Sequence, residues 1–165
     1  MNIKKILALV IVVLALFSCL NVASAGIFDV FDNIGGDSGG NETFTINGFT
    51  VDLPKGSTIS DSKSTEDGVT TESYYVSLKD SSKSVTIEVF YGPNCVDTVD
   101  EYVSNWVSDG SGQSFGYYNG WAVIKEGTGS STMYELVIQD GSRFISIYGD
   151  DLPLLKSIAD TYKKT

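Results

Sequence analysis

Apolar and polar residues alternate most clearly between Ser84 and Val107. Val85, Ile87, Val89 and Tyr91 alternate with Thr86, Glu88 and Phe90, the period-2 pattern of a strand with one strongly apolar face. Gly92-Pro93 ends that strand, because proline offers no N–H to a sheet ladder. Thr98 and Glu101 then stand at capping-box spacing. Val96, Val99, Val103 and Val107 recur at helical spacing, with Tyr102 and Trp106 widening the stripe. The stretch predicts a strand, a corner and a capped amphipathic helix, and the elements after it read as cover for that unit.

Other segments repeat the pattern. Phe44-Thr45-Ile46 and Phe49 to Pro54 flank Asn47-Gly48, a pair suited to the positive φ angles of a two-residue type I′ turn. That register sets Ile46 opposite Phe49 and Phe44 opposite Val51. Ser57 to Gly68 is polar around Ile59 and reads as an exposed excursion. Val69 to Leu78 places Tyr74, Val76 and Leu78 on one face, and Lys79 to Lys83 links it to the Ser84 strand as a hairpin. Beyond the helix, Ser108 to Gly112 reads as a loop, and Asn119-Gly120 joins a Phe115–Tyr117 strand to Trp121–Glu126. Thr132 to Tyr148 folds back through Asp140-Gly141, with Tyr134, Leu136, Ile138, Ile145 and Ile147 sharing a face. Asp151 as N-cap, Pro153 in the first turn and Lys163-Lys164 at the negative end frame a closing helix. Leu155, Ile158, Ala159 and Tyr162 form its stripe. The expectation is an α+β fold, an antiparallel sheet of hairpins with two helices.

The opening hairpin, with Phe49-x-Val51-x-Leu53-Pro54-x-Gly56, the Val85-x-Ile87-x-Val89 strand running into a helix, and the closing helix together resemble the PsbP-like fold over roughly residues 43–164. The resemblance implies a layered sandwich of antiparallel sheet and helices, used mostly for binding or assembly. It assigns no site residue, because element order carries it rather than a motif.

Part of the length reads as targeting. Met1 to Lys5 is a basic start, Ile6 to Leu20 an apolar run, and Asn21-Val22-Ala23-Ser24-Ala25 a small-residue cleavage site. Residues 1–25 are expected to be a signal peptide, since a run of about 15 residues is short of the roughly 20 that cross a bilayer. Leu16-Phe17-Ser18-Cys19 resembles a lipobox, which leaves lipidation of Cys19 as the alternative. Membrane contact is expected only through this segment, if it is uncleaved or lipidated. Residues 26–42 read as a flexible Gly-rich leader, and 43–165 as a single domain. Asn41-Glu42-Thr43 is a glycosylation sequon at Asn41.

Charge and composition narrow the chemistry. The net charge is −10, and cleavage after Ala25 would remove Lys4 and Lys5 and no acid, giving −12. Such a surface repels phosphate backbones, so no nucleic-acid partner is expected. Histidine is absent, which removes Ser-His-Asp and Cys-His catalysis and the His-based zinc sites. Cys95 would remain as a lone cysteine, too few for a disulfide framework. It reads as a small plug at the strand–helix corner, with a dipole-activated thiol as the rival. Glu88 and Glu135 are the best strand-borne acids for paired-carboxylate hydrolysis, against a solvated or salt-bridged sheet surface. Asp29, Asp32, Asp37, Glu42, Asp109 and Asp150-Asp151 lie near glycines and offer oxygen ligands without EF-hand spacing, so no cofactor is expected and Ca²⁺ is a weak alternative. Tyr117, Tyr118 and Trp121 gather at one turn, and with Arg143, the single arginine, they form the candidate partner surface, against sheet core for the aromatics and pairing with a nearby acid for Arg143.

These readings converge on an exported, non-catalytic binding or scaffolding domain at the cell surface. It is expected to be a monomer that contacts a protein or envelope component. A carboxylate-based hydrolase and a calcium-dependent surface module are the alternatives.

Overall fold

The structure is a computed structural model that describes residues 40–79 and 83–165. The expected signal peptide, with Cys19, and most of the leader lie outside the described residues. β1 (Asn41–Ile46) and β2 (Phe49–Pro54) form the opening hairpin in the expected register, with positive φ at Asn47 (34°) and Gly48 (83°). β1 begins inside the stretch assigned to the leader. Asn41 pairs with Pro54 and Lys55 N donates to Gly40 O, so sheet hydrogen bonding outweighs the glycine-rich context there.

β3 (Thr58–Glu66), β4 (Val69–Ser77) and β5 (Ser84–Tyr91) make an antiparallel meander. β3 corrects the reading of Ser57 to Gly68 as an excursion. It pairs with β4 along its whole length, from Thr58 opposite Ser77 to Glu66 opposite Val69. An edge strand exposed on both faces has no apolar face to betray it, and charged side chains on such an edge discourage further pairing. Gly92, at the corner after β5, has φ +139°, and a Cβ there would fall 2.0 Å from Gly68 O. Only glycine lets β5 leave the sheet against the β3–β4 turn.

α1 (Val99–Ser108) follows. Thr98 Oγ1 accepts from Glu101 N at 3.1 Å, and Glu101 Oε2 accepts from Asp97 N at 3.0 Å, so the return half of the box closes one residue early. Trp106 is buried with Val96, Val99, Tyr102 and Val103 packed beside it. Val107, counted in the stripe from its spacing, is 45% exposed instead, because Trp106 fills the last turn's contact with the sheet.

β6 (Gly112–Tyr118), β7 (Trp121–Glu126), β8 (Met133–Asp140) and β9 (Arg143–Gly149) complete the larger sheet. Asp140 pairs with Arg143, so the last hairpin turns on Gly141-Ser142, one residue later than expected. α2 (Leu152–Ala159) has Asp151 as N-cap and Pro153 in its first turn. The lysines after it do not serve the helix end. Lys163–Lys164 form β10, which pairs with β2, and Lys164 Nζ lies 2.6 Å from Asp140 Oδ1.

The strand order is β3-β4-β5-β9-β8-β7-β6 in one sheet and β1-β2-β10 in the other, antiparallel throughout. The class is α+β. β9 lies at the middle of the larger sheet, next to β5. On one face Val85, Ile87, Val89, Leu136, Ile145 and Ile147 pack against Phe49, Val51 and Leu53 of the small sheet and Leu155 and Ile158 of α2. On the other, Ala122, Ile124, Val137 and Phe144 pack beneath α1. The middle strands are thus buried on both sides, and each enclosed aliphatic side chain contributes roughly 1.5–3 kcal/mol before chain entropy is subtracted. Among the described residues no helix is long and apolar enough to cross a membrane.

Candidate functional site

Glu88 and Glu135 both point away from the larger core, as alternation requires. The face they share is roofed by α1 across β6, β7 and β8, so the two acids meet different surroundings. Strand register places Ser73, Glu88, Ser146 and Val137 in one row, and Tyr75, Thr86, Tyr148 and Glu135 in the next.

Glu135 is 4% exposed. Its Oε1 accepts from Ser146 Oγ at 2.6 Å and from Tyr102 OH at 2.9 Å, while Oε2 is buried without a partner. Burial pushes its carboxyl up to about 8, the charges of Glu126 and Glu88 push the same way, and the two hydrogen bonds oppose them. Glu135 is therefore a neutral acid at pH 7, and the solvated or salt-bridged surface expected for it does not hold. The roof makes the difference: Tyr102 brings its hydroxyl down onto the carboxyl. Burial, and then Glu135 itself, hold the Tyr102 phenol far above its ordinary range.

Glu88 is half-buried, and its Oε1 accepts from Ser73 Oγ at 2.8 Å. Burial raises its carboxyl against that bond. Glu126, at the end of β7, is lifted to about 7 by burial. The Tyr148 phenol is raised by burial and then by Glu126, Glu135 and Glu88. Glycoside hydrolysis by two acids requires both to reach one bond from opposite sides of a cleft. Here Tyr102 and Ser146 occupy one oxygen of Glu135 and close over it.

The expected aromatic surface is divided by the alternation around Asn119-Gly120. Trp121 is 2% exposed and meets the Tyr162 ring edge-on, inside the core. Tyr118 donates to Asp160 at 2.6 Å beneath Lys156. Arg143 lies at a different turn, donating to Asp140 and to the Asn47 carbonyl across the two sheets. Tyr117 alone of the four is open, 61% exposed, with its hydroxyl on Asp100. The structure gives it other company. Phe115 is 57% exposed, and with Val107 these are the exposed large apolar side chains among the described residues.

All three lie on or beside β6, the end strand of the larger sheet, which carries no charged residue. β3, at the opposite end, carries Asp61, Lys63 and Glu66. A shift in register between Ser114 and Tyr117, with φ +82° at Gly116, sends Phe115 and Tyr117 to opposite faces of the β6 edge.

Asn41 is exposed at the start of β1. Cys95 is half-buried, packs on the α1 side and has its thiol raised by burial, the reverse of a dipole-activated nucleophile. Among the described residues no group of three or more acids or cysteines is arranged to hold a metal ion, and Asp29, Asp32 and Asp37 lie outside them. No family model, curated protein or solved structure matches this chain.

Sequence reasoning missed Phe115 and the hydroxyls that serve the two acids. Tyr102 carried a signal, since a tyrosine on a buried helical stripe needs a partner for its OH. The alternation Thr58-x-Ser60-x-Ser62-x-Ser64 also marked a strand once hydroxyl groups are counted as a face.

Proposed function

We propose that this chain is an exported, non-catalytic binding or scaffolding domain of the cell surface, with PsbP-like layering, and that it engages an extended protein segment along the β6 edge. The observation that carries this reading is the exposure of Phe115 and Tyr117 on an uncharged end strand of an acidic chain, with Val107 exposed on α1 next to it. An end strand offers unpaired backbone groups to an incoming strand, and natural edges usually guard themselves with charge, as β3 does. The net charge of −10 favours a neutral or basic partner over a second copy.

The test uses two baits in native envelope extract, the wild-type chain and a Phe115→Lys/Tyr117→Lys variant. A partner held by the first and released by the second, with hydrogen-exchange protection of residues 112–118 in its presence, supports the proposal. Equal recovery by both baits overturns it.

A second reading, the carboxylate hydrolase, is favoured by one observation: Glu135, its carboxyl pushed up to about 8, stands in the row next to a half-buried Glu88 whose carboxyl is also raised. A carboxyl kept protonated by burial is what such a site needs for its general acid. Turnover of a glycan or ester panel that Glu135→Gln abolishes would establish this reading in place of the first.

A further inference from the structure

The sheet face beside α1 holds a second surface. α1 packs on β6 to β8, and the helices' packing otherwise falls on β2, β8 and β9. Beyond α1 the same face continues across β9, β5, β4 and β3 with a distinct composition. Ser73, Glu88 and Ser146 form one row there, and Tyr75, Thr86 and Tyr148 the next. β3 adds serine opposite both rows, Ser62 to Ser73 and Ser60 to Tyr75.

Simple solvation does not account for this. The reverse face of β3 and β4 carries Asp61, Lys63 and the half-buried Glu72, with a 2.7 Å ion pair between the last two. In these two rows the hydroxyls surround a single carboxylate and no cation.

A further observation points to a ligand. Glu88 sits half-buried among the hydroxyls with one oxygen engaged, by Ser73. Ser73 and Ser146, 7% and 1% exposed, donate to Glu88 and Glu135 and lie beneath the open part of the face, which Tyr75, Thr86, Glu88 and Tyr148 form. A polar ligand lying over Thr86 and Glu88 would meet the Glu88 oxygen that Ser73 does not hold.

We infer that this face, from Tyr75 through Thr86 and Glu88 to Tyr148, is a binding platform for an uncharged polysaccharide chain. The chemistry matches group by group. Serine and threonine hydroxyls exchange hydrogen bonds with sugar hydroxyls in either sense. A carboxylate accepts from two neighbouring hydroxyls of one sugar ring. Tyr75 and Tyr148 flank Thr86 on the strands to either side, roughly 10 Å apart from strand spacing, and give apolar ring surface against which sugar C–H groups pack. The missing cations argue against an anionic glycan or a phosphate. The inference is independent of the β6 edge, and together the two surfaces would let the domain join an envelope glycan to a protein.

Affinity electrophoresis of the full chain through gels containing hydroxyethylcellulose, glycol chitin or galactomannan tests it, with dextran sulfate as the anionic comparison. Retardation by at least one neutral polymer is expected. Tyr75→Ala and Glu88→Gln should each weaken it at least tenfold. Thr86→Val, which keeps the side chain's shape and removes only its hydroxyl, should weaken it about threefold with thermal stability kept. Absence of retardation by every neutral polymer overturns the inference, as does retardation that these variants leave unchanged or that only dextran sulfate produces. If no glycan binds while an envelope protein is still captured through β6, this inference falls and the proposed function stands. If a neutral polymer is cleaved, the non-catalytic reading falls as well.

Discussion

Replacing Glu135 by glutamine should make the protein less sensitive to pH and more stable in neutral and mildly alkaline solution. In the fold its carboxyl titrates near 8, against 4.5 when solvated, because burial penalises the charge more than Tyr102 and Ser146 favour it. Between those values the folded chain holds a proton that the unfolded chain has released. Stability therefore falls as pH rises, by about 1.4 kcal/mol per unit, and is fully retained only below pH 4.5. From pH 5 to pH 7 the loss attributable to this one group is about 3 kcal/mol. Glutamine keeps the shape, accepts from the same two hydroxyls through its carbonyl and has no charge to bury. Urea unfolding followed by the fluorescence of Trp106 and Trp121 at pH 5, 6, 7 and 8 reads the effect. Glu126, lifted to about 7, acts in the same direction in both proteins, so the difference between the two curves isolates Glu135. That difference should grow in the variant's favour by about 3 kcal/mol between pH 5 and pH 7. Parallel curves would refute the claim that Glu135 is buried neutral.

The architecture makes other demands. Thr98→Ala removes the acceptor for Glu101 N and should cost about 1 kcal/mol, with a matching loss of helical circular dichroism. Leu136→Ala empties a fully buried position at the centre of the larger core and should cost about 2–5 kcal/mol in urea unfolding. Gly92→Ala drives a Cβ against Gly68 O and should cost more than the roughly 1 kcal/mol of an average substitution, read as a lowered Tm. Phe115→Lys sits on open surface and should leave stability within about 0.5 kcal/mol while weakening capture of the partner at least tenfold.

The elements with one apolar face were legible in the residues alone. The Asn47-Gly48 register, β5, the cap at Thr98 and the stripe of α2 needed nothing beyond local alternation and turn chemistry. β3 escaped because an edge strand wet on both sides has no apolar period. β10 escaped because two lysines after a helix look like dipole partners until β2 is seen alongside. The site was half visible. Alternation sent Glu88 and Glu135 to the same face, but nothing local says that α1 covers one acid and leaves the other at its margin. That placement decides whether a carboxyl ionises. The aromatic group failed for a related reason: the residues around Asn119-Gly120 are adjacent in sequence, and a hairpin sends neighbours to opposite faces, so Trp121 entered the core and Tyr117 the solvent. Phe115 became visible only once a register shift and the end of the sheet were known.

Residue-resolved hydrogen exchange of the chain in native envelope extract addresses the contact role most directly. Slowed exchange confined to the amides of Gly112 to Tyr118, and lost in the Phe115→Lys/Tyr117→Lys variant, is the predicted result. Unchanged exchange along β6, with protection gathering elsewhere, would contradict it.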